Sequence, residues 1–518
     1  MVGGPSQVKR LRGTSVRTRN ALAATALAAA ASLTLAGDIT RSGPIAQSAD
    51  LEAGCVLAPH GGGISSAPSP RAPRGRGRPV TGAVDRGGDF NGDGLRDTAV
   101  AVPFRTTDAP GRTLPGRWSG AYVAVVYSGP GGPDPARRQV ITHDCLDVPT
   151  RGRPDHVFGT TLGSADFDRD GFDDLVVGGQ DGGYNGLGPA SVTVIYGSAD
   201  GLTGRSVEMV VERTQSFFGT VAIGDFGGDG ALDIAATPGS FGDLYLFRDV
   251  VDRPVTAERS ALIRRPPHGR GAEDSYESLQ VADFNADGRS DLAVMVDWSS
   301  EGERRRQWGE LRLGGAEGLS ERATVFGRDR IGLQSMAGDV TGDGRPDLVT
   351  REGSRSMSVV PGTRTGLGDP QRFTIPLPPG PVNQVPSPDL PSSLGFAVGD
   401  VTGDRTADVV VSEGGRVAVL PGGPAGVRSA QADIVEPDGR PQPSGGDARW
   451  LGGGLSVGDL TGDGEPELTV GAPEWSSRAG GRLYILPGGR TSGSTTLSGV
   501  QLGLTQRPSG GFGQVLLP

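Results

Sequence analysis

A short acidic motif returns seven times along this chain, beginning at Asp89, Asp166, Asp225, Asp283, Asp339, Asp400 and Asp459. The intervals are 77, 59, 58, 56, 61 and 59 residues. A repeat of that length constrains the fold strongly, because each unit can bury its apolar face only against its neighbours, in a radial or stacked array. The motif lies between two short β-type runs, as in Thr160 to Phe167 and Asp174 to Gly178, so it reads as a hairpin loop. A third run follows in every unit, for example Ala121 to Tyr127, Val192 to Tyr196, Leu244 to Phe247, Val417 to Leu420 and Leu483 to Leu486. Fainter fourth runs include Arg372 to Leu377 and Ala432 to Val435. Four strands per unit, seven times over, predict an all-β, seven-bladed β-propeller with cation-binding hairpin loops. The rival β-solenoid is built from much shorter repeats. With 88 glycines and only 5% aromatic residues, the composition also favours short strands and tight turns.

The best loop runs Asp166, Asp168, Asp170 and Asp174 at positions 1, 3, 5 and 9, with Gly171 at position 6. Alternate oxygen side chains around a sharp glycine turn suit calcium, which takes about six to eight oxygen ligands. Asp89, Asn91, Asp93 and Asp97 fit the pattern, as do Asp283, Asn285, Asp287 and Asp291. Threonine takes position 3 in Asp339, Thr341, Asp343, Asp347 and in Asp459, Thr461, Asp463, Glu467, which are also assigned to calcium. The remaining two loops depart from the pattern. Asp225, Asp229 and Asp233 have Gly227 at position 3, and Asp400, Thr402, Asp404 and Asp408 have Arg405 in place of glycine. One such loop could be a turn whose Asp and Gly serve only the backbone; seven at one period point to cation sites. An EF-hand would need a bidentate glutamate at position 12, where Val100, Val177 and Val294 stand.

The position 1, 3, 5 and 9 side chains of these loops hold 22 carboxylates, and without them the formal net charge of −10 would be +12. The acidity therefore reports cation sites rather than a surface awaiting a basic partner. At the affinities of extracellular calcium modules, millimolar calcium adds only about 0.4 to 1.4 kcal/mol per site.

With Phe158-Gly159, Phe218-Gly219 and Phe512-Gly513 beside the loops and Gly471-Ala472-Pro473 in the last unit, the stretch from Gly82 to Leu517 resembles the FG-GAP repeat family of the integrin α-subunit head. The resemblance implies a propeller with calcium in hairpin loops on one face, used in adhesion or recognition. It carries over no ligand-contacting residue. Gly510 to Leu517 looks like the first strand of another unit, and reads equally as a latch closing the ring or as a truncated eighth repeat.

Ahead of the repeats, Lys9, Arg10, Arg12, Arg17 and Arg19 precede an apolar stretch from Ala21 to Leu35, the layout of a signal peptide. Residues 1–36 are assigned to it, 37–81 to a flexible segment and 82–518 to the propeller. No stretch reaches the roughly 18 to 20 apolar residues of a spanning helix, so the expectation is a secreted monomer without membrane insertion. In an oxidising compartment Cys55 and Cys145, the only cysteines, are expected to pair. The basic run Arg71 to Arg78 lacks interleaved aromatics and reads as linker, not as a nucleic-acid contact.

His60, His143, His156 and His268 show no metal-ligand spacing, no nucleophile elbow appears, and the loops account for many of the carboxylates. The expected role is extracellular recognition of a protein or glycan, without catalysis. The alternatives are a lectin, with Trp118, Trp298, Trp308, Trp450 and Trp475 as stacking candidates, or a propeller-based polysaccharide lyase or hydrolase. The tryptophans do not recur at one repeat position, which suits core filling better than equivalent sugar sites.

Overall fold

The computed structural model describes residues 87–517 except 104–120, 147, 149–156, 181–188, 212–217, 239–243, 252–259, 264–271, 301–303, 378–394, 414, 436–450, 474–480 and 505–510. The assigned signal peptide and leader, Cys55, His60, His156, His268, Trp118, Trp450 and Trp475 lie outside the described residues.

Seven four-stranded antiparallel sheets make up the ring. The second blade shows the pattern: Val157–Ala165, the acidic loop, Asp174–Gln180, Ala190–Ile195 and Ser206–Val211, each strand paired with the next. Blades three to seven repeat that order, opening with Phe218–Gly224, Ala272–Ala282, Gln334–Gly338, Phe396–Gly399 and Leu455–Gly458. The second and third strands are buried almost throughout, as in Asp174–Gln180 and Ala190–Ile195. A strand packed on both faces reads as a continuous apolar run of Val, Ile, Leu and Ala rather than an alternation.

The first blade is completed from the other end of the chain. Its own strands are Thr98–Val102, Tyr122–Gly129 and Gly132–Ile141, and Val515–Leu516 adds the fourth by pairing antiparallel to Thr98–Val102. The register sets Val100 against Leu516 and Ala101 against Val515, and Leu517 N donates to Ala99 O at 3.0 Å. Of the two readings open in the sequence, the closing segment is the latch.

Seven apolar clusters hold the ring, each shared by two neighbouring blades. One joins Val123, Val125 and Tyr127 of the first blade to Phe158, Leu175 and Val177 of the second. Another joins Leu483 and Leu497 of the seventh blade to Val100, Tyr122 and Val126 of the first, with Phe512 fully buried between them. Burying a Val, Leu or Phe side chain contributes about 1.5 to 3 kcal/mol, and here that gain exists only while both blades are in place.

The Phe-Gly and Gly-Ala-Pro signatures meet at these junctions. Gly513, at φ +92°, brings its carbonyl so close to Gly471 that a Cβ there would lie 1.7 Å from the oxygen. Between the first two blades, a Cβ on Gly159 would fall 2.7 Å from the Cβ of Ala101 in Ala101-Val102-Pro103, the counterpart of Gly-Ala-Pro. The glycines are therefore needed for close approach between units. Cys145 is disulfide-bonded. Among the described residues, no helix is long and apolar enough to cross a membrane.

Candidate cation-binding loops

In blades two to seven the acidic loop joins the first two strands, and in the first blade it leads into Thr98–Val102, the strand that pairs with the latch. Its build is constant. The position-1 carboxylate accepts the N–H of position 6 through Oδ2, at 2.9 Å for Asp89 and Gly94, 3.0 Å for Asp166 and Gly171, and 2.8 Å for Asp283 and Gly288. The position-5 carboxylate accepts the N–H of position 7, as Leu95 gives to Asp93 at 3.0 Å and Arg345 to Asp343 at 2.9 Å. Left-handed backbone occurs at position 6, from φ +70° at Arg405 to +97° at Gly171, and again at position 4. Position 4 is Gly92, Arg169, Gly228, Ala286, Gly342, Gly403 and Gly462 in turn.

Position 9 does a second task. Asp97, Asp174, Asp291, Asp347 and Asp408 are buried, and each accepts a backbone N–H at 2.9 to 3.1 Å, from Ser128 near the end of Tyr122–Gly129 in the first blade and from Gly197, Gly314, Gly362 and Gly422 just after the third strand in the others. Asp97, Asp174, Asp291 and Asp408 also accept the N–H of position 2. Burial dominates their titration despite these bonds: Asp97 is pushed up to about 8, Asp174 and Asp291 to about 7, and Asp347 to about 6. Glu467, the one glutamate at this position, is also raised by burial.

The two irregular loops keep the same form. Arg405 adopts the glycine conformation and donates its N–H to Asp400 Oδ2 at 2.7 Å. Asp225 accepts from Gly228, Asp229 and Gly230 although Gly227 offers no side chain.

The second loop is distinct. One oxygen each from Asp166, Asp168 and Asp174 come within 4.8 Å of one another, and among the described residues no other three carboxylate, imidazole or thiolate groups gather so closely. Asp170, expected as a fourth ligand, is outside that group; its Oδ1 accepts the Phe172 N–H at 3.1 Å. Asp168 Oδ2 lies 3.0 Å from Arg205 Nη1, and Asp168 Oδ1 is buried with no hydrogen-bond partner. A buried carboxylate oxygen without a donor is costly, and the set of hard oxygen donors fits a calcium-like cation.

In the first and fourth loops Asn91 and Asn285 spend Oδ1 on the position-5 N–H, at 3.0 and 2.9 Å. In the fifth and seventh, Thr341 and Thr461 turn their hydroxyls to Asp339 and Glu467 at 3.5 and 3.4 Å. Asp339, Asp343 and Asp347 keep the common frame, as do Asp459, Asp463 and Glu467.

Three features escaped the sequence reading. Position 2 is a core anchor, with Phe90, Phe167, Phe226, Phe284, Val340, Val401 and Leu460 all buried, a signal visible as an apolar residue after every first aspartate. Asp173 links two loops by accepting the N–H of Gly88 at 2.7 Å and of Asp89 at 3.1 Å. Arg205 had no signal in the repeat.

Comparison with known proteins adds three findings. The FG-GAP repeat model matches residues 451–486, the unit containing the Asp459 loop. A phosphatidylinositol-glycan-specific phospholipase D of Mus musculus is 30% identical over 224 residues, covering 41% of this chain but only 23% of that protein. The solved Tc holotoxin pore of Photorhabdus luminescens matches 77% of this chain and 19% of its own at 16% identity, with a TM-score of 0.28 that supports no argument. The matched repeat and the closed ring of seven like-built blades together fit an FG-GAP-repeat β-propeller.

Proposed function

We propose that the chain is a calcium-stabilised extracellular recognition module, its ring a scaffold for binding a protein or glycan. The observation that carries the calcium reading is the second loop, where Asp166, Asp168 and Asp174 converge and Asp168 Oδ1 is buried without a donor. Bound calcium would supply positive charge to carboxylates that burial otherwise pushes toward protonation. The other loops would hold it through their position 1, 3, 5 and 9 side chains.

Recognition is inferred from the family resemblance and from the general use of loops on a rigid scaffold for binding. Export rests on the N-terminal layout, and the ring closes within one chain, which suits action as a monomer. The test is binding to protein and glycan arrays in calcium and in chelator. One ligand class retained in calcium and lost in chelator supports recognition. Several equivalent sugar sites per chain would make it a lectin, and turnover of a polysaccharide would replace recognition by a lyase or hydrolase.

A second reading is favoured by the 30% identity to the mouse phospholipase D: the ring would serve cleavage of lipid-anchored glycans. Release of a glycosylphosphatidylinositol-anchored reporter by the purified chain would establish it, and no release over a boiled control would remove it.

A further inference from the structure

The second loop carries a carboxylate at position 3, where the other six have Asn, Thr or Gly. At positions 1, 3, 5 and 9 it therefore has four acidic side chains against three in each other loop. Arg205 meets that additional charge. Its Nη1 is 3.0 Å from Asp168 Oδ2, and its guanidinium carbon lies 4.0 Å from the centre of the Tyr196 ring. The backbone beneath is clamped: Tyr196 N donates to Arg205 O at 3.2 Å, and Thr203 Oγ1 bridges Tyr196 O and Arg205 N at 2.8 and 3.2 Å. Stacking on a buried tyrosine and a fixed backbone hold the guanidinium in place, so little ordering entropy opposes the ion pair.

Other arginines reach loop acids, as Arg137 does Asp93 at 3.6 Å, Arg345 does Asp343 at 3.0 Å and Arg428 does Asp404 at 3.5 Å. Those carboxylate side chains are 33%, 45% and 44% exposed, against 15% for Asp168. Solvent screens the exposed pairs far more, so among the described residues Arg205 is the arginine whose charge is felt most at a loop.

Resting on the calcium reading above, we infer that Arg205 is a built-in counter-charge that sets the cation affinity of the second loop by holding Asp168 Oδ2. Asp168 then enters a cation site with one oxygen committed to the guanidinium. The loop's charge is reduced to that of its three-carboxylate neighbours, and the affinity falls with it. Removing the guanidinium charge frees the second oxygen and lifts a repulsion against the incoming cation, worth about three- to tenfold in affinity even at the dielectric of water.

The test is calcium titration of the full chain by calorimetry, comparing wild type with Arg205→Met, Arg205→Gln, Arg205→Lys, Asp168→Asn and Asp168→Asn/Arg205→Met. Arg205→Gln keeps a planar group over Tyr196 should Arg205→Met fold poorly. The expected result is one ion per chain bound about three- to tenfold more tightly in Arg205→Met and Arg205→Gln. Arg205→Lys, which keeps the charge, should stay near wild type, and the double variant should gain nothing over Asp168→Asn. Unchanged or weakened affinity in both neutral variants, with wild type still taking up calcium, overturns the role of Arg205 alone. No uptake by wild type overturns the calcium reading and this inference together.

Discussion

Arg405 occupies a backbone position that its side chain disfavours. At φ +70° it stands where the other six loops have glycine, and left-handed backbone costs an L-residue about 1 to 2 kcal/mol. Arg405→Gly is expected to stabilise the chain by about 1 kcal/mol, read as a higher denaturant midpoint; a fall would show that the side chain does more than fill the turn. Gly94 is the converse, since a Cβ there meets nothing within 4 Å yet φ is +88°. The loop carboxylates also set a pH dependence. Asp97, Asp174, Asp291 and Asp347 titrate at about 8, 7, 7 and 6 when folded, against an unfolded value of about 3.9. A raised folded value means that the fold favours the protonated acid, so the stability they add is full below pH 4 and lost as pH rises through 6 to 8. The chelator-treated chain should melt at a lower temperature at pH 8.5 than at pH 5.5, and calcium should shrink the difference. Equal melting temperatures in chelator would contradict it.

Between the fifth and sixth blades, an arginine–glutamate ion pair is buried. Arg351 ends the strand Asp347–Arg351, and its Nη2 lies 2.9 Å from Glu413 of Asp408–Glu413 in the next blade. Its other donors reach the carbonyls of Gly353, Gly395 and Ser412 at 2.9 to 3.0 Å. Burial lowers the arginine to about 10, with Glu413 opposing the shift. Arg351→Met should cost about 3 to 5 kcal/mol by leaving a buried carboxylate without its guanidinium, and Glu413→Leu added to it should recover much of the loss. Denaturant unfolding of the two variants decides this. At this scale the sequence was most readable. Strand-loop-strand order appears in local runs, and positions 1, 3, 5 and 9 show their chemistry in the side chain itself. Position 4 stayed hidden because Arg169 and Ala286 adopt positive φ without being glycine. Asp173 and Arg205 stayed hidden because their partners, Asp89 and Asp168, are set by folding between and within blades rather than by the repeat.

For the whole molecule the decisive contact is made by the last described residues. Val515–Leu516 looked the same in sequence as the start of an eighth unit, because two residues of strand carry no mark of their partner. Only the register with Ala101 and Val100 distinguishes closure from repetition. Phe512 is fully buried between the seventh and first blades, so Phe512→Ala should cost about 3 to 5 kcal/mol. A loss that large from the residue that packs beside Val515–Leu516 would confirm the latch by thermal unfolding, whereas a near-neutral effect would mean that the ring holds without it. The central claim is that the loops lock this ring by taking up calcium. The measurement that tests it most directly is calorimetric titration of the chelator-treated mature chain with calcium, paired with melting temperatures in its presence and absence. Three or more ions bound per chain with a clear rise in melting temperature is the expected result, and no uptake with an unchanged melting temperature would contradict it.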